Sequence, residues 1–230
     1  VTETYLIGDV HSQADRLRRV IDHMAKAAAG GARVIFLGDL FDSRCDTSDS
    51  PEVYRLVREF QDRYGAVVLN SNHQDKLRRL LSGSPVRVDL VPELGRTFRE
   101  FEQTDVDRDE LLRWLESCPY GYVFHDRTGR EYRCAHAYFP SWVEPDGATV
   151  SGERLPRKAR DLMLYGKRDF ETKQRVRWWE HKSQVPWTRV SGHYHCVHTS
   201  RESLVLDGQC GNEGGRLPVY EVNAGLLTYF

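Results

Sequence analysis

The 230-residue sequence is short of cysteine, of long apolar runs and of any excess charge, and each shortage removes a class of protein. Its five cysteines (Cys45, Cys118, Cys134, Cys196 and Cys210) are odd in number and form no Cys-x-x-Cys pair, so neither a disulfide framework nor a cysteine zinc site is indicated. They read as small core hydrophobes in a reducing compartment, which gives the cytoplasm as the expected location. Lys and Arg number 33 against 34 Asp and Glu, a formal charge of −1, so the dominant basic face required for bulk nucleic-acid binding is missing. Nucleic acid is then expected only as a substrate. No apolar stretch approaches the roughly 18 residues of a spanning helix, which argues against a membrane protein. The first residues, Val1-Thr2-Glu3-Thr4-Tyr5, carry neither the basic start nor the apolar segment of a secretory signal. Internal repeats, low-complexity tracts and long linkers are absent as well, so residues 1–230 read as a single domain.

What is present is an alternation of short apolar runs with amphipathic stretches. Strands are expected at 4–7, 33–37 and 66–69, with helices at 14–28, 52–64 and 74–81 between and after them, a βαβαβα series that implies parallel strands covered by helices. Residues 86–117 look helical and charged, with an apolar stripe at Leu111, Leu112 and Leu115, and are read as an insertion or cap. The polar, glycine-containing stretch 126–130 between 120–124 and 131–135 signals a hairpin. A second helix-leaning segment, also a candidate cap, covers 156–181. Strand patterns return at 188–190, 203–206, 217–222 and 226–230, so the last third is mainly β.

The chemistry lies where strands end. The first runs into Gly8-Asp9-Val10-His11, the second into Gly38-Asp39-Leu40-Phe41-Asp42, and the third into Asn70-Ser71-Asn72-His73. Carboxyl ends of parallel strands converge on one crevice, so these loops should meet there. Carboxylates packed together repel and buried charges need partners, which makes divalent cations the economical resolution, two of them for so many donors. His136 closes the hairpin, and Gly192-His193-Tyr194-His195 follows the strand at 188–190; strand alternation would turn His193 and His195 the same way. Mixed Asp, Asn and His donors suit manganese, iron or zinc better than calcium. Trp142, Trp178, Trp179 and Trp187 invite base stacking, with core or cap packing the preferred reading.

Together these motifs resemble the calcineurin-like metallophosphoesterases, whose pattern is Asp-x-His, Gly-Asp-x-x-Asp, Gly-Asn-His-Asp/Glu, a lone His and Gly-His-x-His. The likeness runs from residue 4 to 225. It implies an α/β fold, a sandwich of two β-sheets flanked by helices, and a dinuclear centre that activates water to hydrolyse a phosphate ester. Under this resemblance Asp9, His11, Asp39 and His195 hold one metal, and Asp39, Asn72, His136 and His193 hold the other, with Asp39 shared. Manganese is the first choice, and iron, zinc, nickel and magnesium are alternatives. His73 is the candidate proton donor to the leaving group, with Asp42 orienting it.

Ser43 and Asn70 stand where the phosphoprotein phosphatase branch places phosphate-gripping arginines; Arg44 is the substitute expected to bind substrate, with Arg78 behind it. A small phosphomonoester or nucleotide-like substrate is therefore preferred. The complete Gly-His-x-His keeps a phosphodiesterase acting on cyclic nucleotides or nucleic-acid ends as an alternative, beside a protein Ser/Thr phosphatase. A degenerate scaffold that only binds other proteins is the remaining reading, and the full set of seven donors argues against it.

Overall fold

A computed structural model describes residues 2–88, 91–181 and 185–230. Two mixed sheets stack face to face. The first has five strands in the order β11–β10–β1–β2–β3, and the second six in the order β6–β4–β5–β7–β9–β8. In the first sheet, β1 (Thr4–Ile7), β2 (Arg33–Phe36) and β3 (Val67–Val68) run parallel, while β10 (Pro218–Glu221) and β11 (Leu226–Tyr229) are antiparallel additions. In the second, β4 (Gly121–His125) and β5 (Glu131–Ala135) form the expected hairpin, and β5, β7 (Thr188–Ser191) and β9 (Ser203–Leu206) are parallel neighbours. The short β6 (Thr149–Val150) and β8 (Val197–Thr199) complete its edges.

The period of two along each strand sorts side chains between two cores. Leu6, Ile35, Leu37 and Leu69 face the second sheet and meet Phe124, Cys134, Val190, Leu204 and Leu206. Ile7, Val34, Phe36 and Val68 point outward under the helices. There α1 (Ala14–Ala29) buries Leu17, Val20, Met24 and Ala28, spaced three or four apart as one helix face requires. The helices of the 86–117 segment, α4 (Pro92–Glu102) and α5 (Arg108–Ser117), place Leu94, Phe101, Leu111, Trp114 and Leu115 in the same cluster as α1, α2 (Ser50–Tyr64) and α3 (Asn72–Leu81). Asp89 and Leu90 of that segment lie outside the described residues.

The expectation of helix through 156–181 needs correction. Only α6 (Arg157–Tyr165) is α-helical; Gly166 ends it at a φ of +71°, and the chain continues as a loop pinned by the Arg168–Arg175 bridge before one 3-10 turn at Trp178–Glu180. Trp178 and Trp187 are buried in apolar clusters, so they pack and do not offer a stacking face. No helix among the described residues is long and apolar enough to cross a membrane.

α2 begins on an Asp49 side chain that accepts the Glu52 N–H at 3.1 Å, with Pro51 in its first turn, and stops at Gly65, whose φ of +68° suits glycine. Asp49→Ala should cost about 1 kcal/mol and lower Tm by about 2–4 °C for a chain of this size. A melt within error of wild type would show that the cap contributes nothing.

Candidate metal centre

The three loops that leave β1, β2 and β3 do meet, and the segments after β5 and β7 join them. Asp9, Asp39, Asn72, His136 and His193 are all buried. Asp39, His136 and His193 present ligand atoms within 4.8 Å of one another, and so do Asp9, His11 and Asp39. Asp39 belongs to both groups. Asn72 joins the first, its Oδ1 lying 2.8 Å from His136 Nε2.

Proton bookkeeping shows why these groups need a cation. His136 Nδ1 lies 3.0 Å from the Leu37 carbonyl; a carbonyl can only accept, so Nδ1 carries a hydrogen, and in the neutral ring that can ligate a cation the lone pair is on Nε2. That lone pair faces Asn72 Oδ1, Asp39 Oδ2 at 3.3 Å and His193 Nδ1 at 3.1 Å. His11 repeats the device: Nδ1 sits 3.1 Å from the carbonyls of both Phe41 and Asp42, which leaves Nε2 bare toward Asp39 Oδ2 at 3.8 Å. Asp9 Oδ1 and His193 Nε2 are buried with no hydrogen-bond partner. A convergence of lone pairs with few donors among them fits divalent cations, and Asp, Asn and imidazole are donor types that borderline transition ions accept.

Charge states follow the same geometry. Burial, then Asp207 and Asp39, push the Asp9 carboxyl well above the usual range. Burial also opposes the Asp39 charge, but His136, His73 and His11 outweigh it and hold this carboxyl well below its ordinary value. Burial and the neighbouring His136 keep the His193 imidazole well below its ordinary pKa, so it is neutral and able to ligate.

Backbone conformation marks the same place. Of the eight non-glycine residues with positive φ among the described residues, five are His11, Asp39, Asp42, His193 and His195. Left-handed backbone at such residues is costly and persists where surroundings over-determine it, commonly at functional sites. This finding corrects the alternation argument. β7 stops at Ser191, and His193 and His195 sit in a loop at φ of +70° and +54°, so strand periodicity does not relate them. His193 is buried in the cluster, whereas His195 lines the cleft from a more exposed position and belongs to neither tight group.

His73 stands beside this centre. Its Nδ1 is 2.6 Å from Asp42 Oδ2, and its Nε2 lies 3.8 Å from Asp39 Oδ2. Burial works against its protonation, but Asp39 and the hydrogen bond to Asp42 prevail and raise its pKa. A cleft of about 350 Å³ opens over these side chains. Arg44 reaches its rim, is largely exposed and pairs with Glu93 at 3.1 Å. Arg78 instead pairs with Asp75 at 2.9 Å and is not among the cleft-lining residues.

Sequence reasoning passed over Lys76 and Arg175, both of which line the cleft, and gave no role to Asp207, which is buried beside Asp9 in a tail, residues 206–215, that resembles bacterial and phage phosphatases and dinucleoside tetraphosphate hydrolases. Asp207 follows the end of β9 directly, so the strand-end rule that picks out Asp9 and Asp39 also covers it. Arg175 carries no such signal: it stands in the loop after α6, and its Nη1 donates to the His193 carbonyl at 2.9 Å.

Comparison with known proteins agrees with this geometry. Residues 3–216 match the model of the calcineurin-like phosphoesterase family. Over 179 residues the chain is 26% identical to the asymmetrical bis(5'-nucleosyl)-tetraphosphatase PrpE of Bacillus subtilis (strain 168), covering 73% of this chain and 67% of that protein. It is 27% identical to the protein of the same name from Bacillus velezensis, covering 73% and 66%. The match thus spans about two thirds of each relative's length. A crystal structure of a proposed diadenosine tetraphosphatase superposes with a TM-score of 0.65 at 17% identity, covering 100% of this chain and 93% of that one, a likeness of fold. The chain belongs to the calcineurin-like phosphoesterase family.

Proposed function

We propose that this metal-dependent phosphoric ester hydrolase acts on a small nucleotide-like substrate with linked phosphates, using Asp9, His11, Asp39, Asn72, His136, His193 and His195 to hold two divalent cations. The observation that carries the reading is Asp39 lying in both tight donor groups at the floor of an open cleft. When bound, the cations neutralise phosphate charge and lower the pKa of water enough to supply hydroxide near neutral pH. Manganese is the first ion to test, ahead of iron, zinc, nickel and magnesium. The unpaired thiols fit a reducing location, and we place the protein in the cytoplasm on that ground.

The residues of the chain divide the remaining work. His73 Nδ1 donates to Asp42 Oδ2, which fixes the ring and leaves Nε2 to deliver a proton to the departing oxygen. Arg44, Lys76 and Arg175 ring the cleft with positive charge suited to several phosphate oxygens. Ser43 and Asn70 are buried and occupied, Ser43 by Gln13 and Asn70 by the Ser71 N–H, so neither reaches a substrate. That arrangement favours a small polyanion over a phosphoprotein, and the relatives named as tetraphosphatases support the same class.

The test strips the metals, restores manganese and compares kcat/KM on diadenosine tetraphosphate, p-nitrophenyl phosphate and bis(p-nitrophenyl) phosphate. The tetraphosphate is expected to be the best of the three. A faster diester would turn the search to cyclic nucleotides and nucleic-acid ends, and inactivity on all three with every candidate ion would overturn the reading. His73→Ala should lower turnover by about 10²–10⁴-fold, more for poor leaving groups than for good ones, with metal content unchanged. Equal losses across leaving groups would contradict the proton-donor role.

A further inference from the structure

Asp207 is 1% exposed and accepts two hydrogen bonds that the hydrolytic scheme leaves unused. Its Oδ2 accepts the His195 N–H at 2.6 Å, and its Oδ1 accepts the Gln209 N–H at 2.9 Å. Both residues so held have left-handed backbone, with φ of +54° and +56°, a conformation that non-glycine residues keep only under external restraint. Beside Asp207 lies the buried Asp9, whose Oδ2 takes the His193 N–H at 2.8 Å.

Two buried carboxyls pressed together are a poor way to hold a loop. The two N–H bonds use both oxygens of Asp207, and the carboxylate that makes them brings repulsion and desolvation beside Asp9. The arrangement makes physical sense when a dication sits in front of Asp9, because acidic groups behind a ligand orient it and strengthen its hold.

We propose that Asp207 is a positioning residue for the cation site formed by Asp9, His11 and Asp39, clamping the His195 backbone and supplying a second negative charge behind Asp9. This rests on the metal-centre reading above. It differs from a scaffold role in one respect: the loss falls on one cation site. Removing the charge weakens that site far more than it weakens the metal-free fold, which loses one N–H acceptor.

The experiment titrates metal-stripped, full-length wild type, D207N and D207E with manganese by calorimetry, and melts each protein without metal. Wild type is expected to bind two ions. D207N should bind one of them about 10–100-fold more weakly and the other unchanged, with a metal-free Tm lowered by no more than the few degrees that one lost N–H acceptor costs. D207E, which keeps the charge one methylene further out, should retain more of the affinity. Wild-type affinities in D207N would overturn the proposal, as would a metal-free Tm that falls in step with the affinity. Should D207N not fold, loss of the site in D207E as complete as in a histidine ligand variant such as H11A would overturn it. A wild type that binds no manganese would instead count against the metal centre itself.

Discussion

Asp39→Asn is expected to cut hydrolysis by about 10³-fold or more, the size of effect that follows when several kcal/mol of cation-derived charge stabilisation are lost at about 1.4 kcal/mol per decade. One oxygen explains the severity. Asp39 Oδ2 faces the Nε2 atoms of His136 at 3.3 Å and of His11 and His73 at 3.8 Å, so a single carboxylate touches both donor groups and the proposed proton donor. An amide fills the same space with half the charge pattern reversed. The fold should survive, because Asn tolerates the φ of +43° found here, and the Asp39 carbonyl still accepts from Val10 and His11. Elemental analysis together with turnover on p-nitrophenyl phosphate checks the prediction; undiminished rates with two bound ions would remove Asp39 from the mechanism.

Gly38→Ala is expected to damage stability strongly, because a left-handed backbone and a steric clash coincide there. Gly38 has a φ of +109°, and a Cβ there would lie 2.7 Å from Ser71 Cβ and 2.9 Å from His136 Nδ1. Neither neighbour is a flexible side-chain end: Ser71 caps α3, and His136 is tied to Leu37. Strain of about 1–3 kcal/mol from the backbone adds to a similar overpacking term, which for a chain of this size means a Tm lower by about 5–20 °C. The variant should also release metal more readily, since His136 must tilt. A melt within 2 °C of wild type would show that the loop yields more easily than its geometry implies.

Much of this was legible beforehand because two signals reinforced each other. Ile7 and Leu6, or Phe36 and Ile35, alternate between helix-facing and sheet-facing cores, and that period is visible in the letters alone. The polar residues Asp9, Asp39 and Asn72 then appear directly beyond the strand or turn that presents them, which is why the convergence could be anticipated. Legibility failed where backbone departs from regular periods. His193 and His195 obey no strand alternation, since their left-handed φ values come from long-range restraint, such as the His193 N–H to Asp9 bond across 184 positions. The 166–177 loop was misread because its charged residues match a helical surface, while Gly166 breaks the helix and Asp169 caps the turn through Thr172. Arg175 owes its place to that turn, to the bridge with Arg168 and to its bond to the His193 carbonyl, none of which the letters announce.

The span between Asp9 and His193 also bears on how the protein comes into being. Donor groups drawn from the loop after the first strand and from a loop 184 residues later cannot meet before the second of them has been made. At ribosomal speeds of about 5–20 residues per second, the early carboxylates wait roughly 10–40 s for their partners, and contacts of such sequence separation close late in folding. The donor cluster therefore closes as a late event, after both sheets have docked. Nascent fragments that stop short of His193 carry the early carboxylates without their partners.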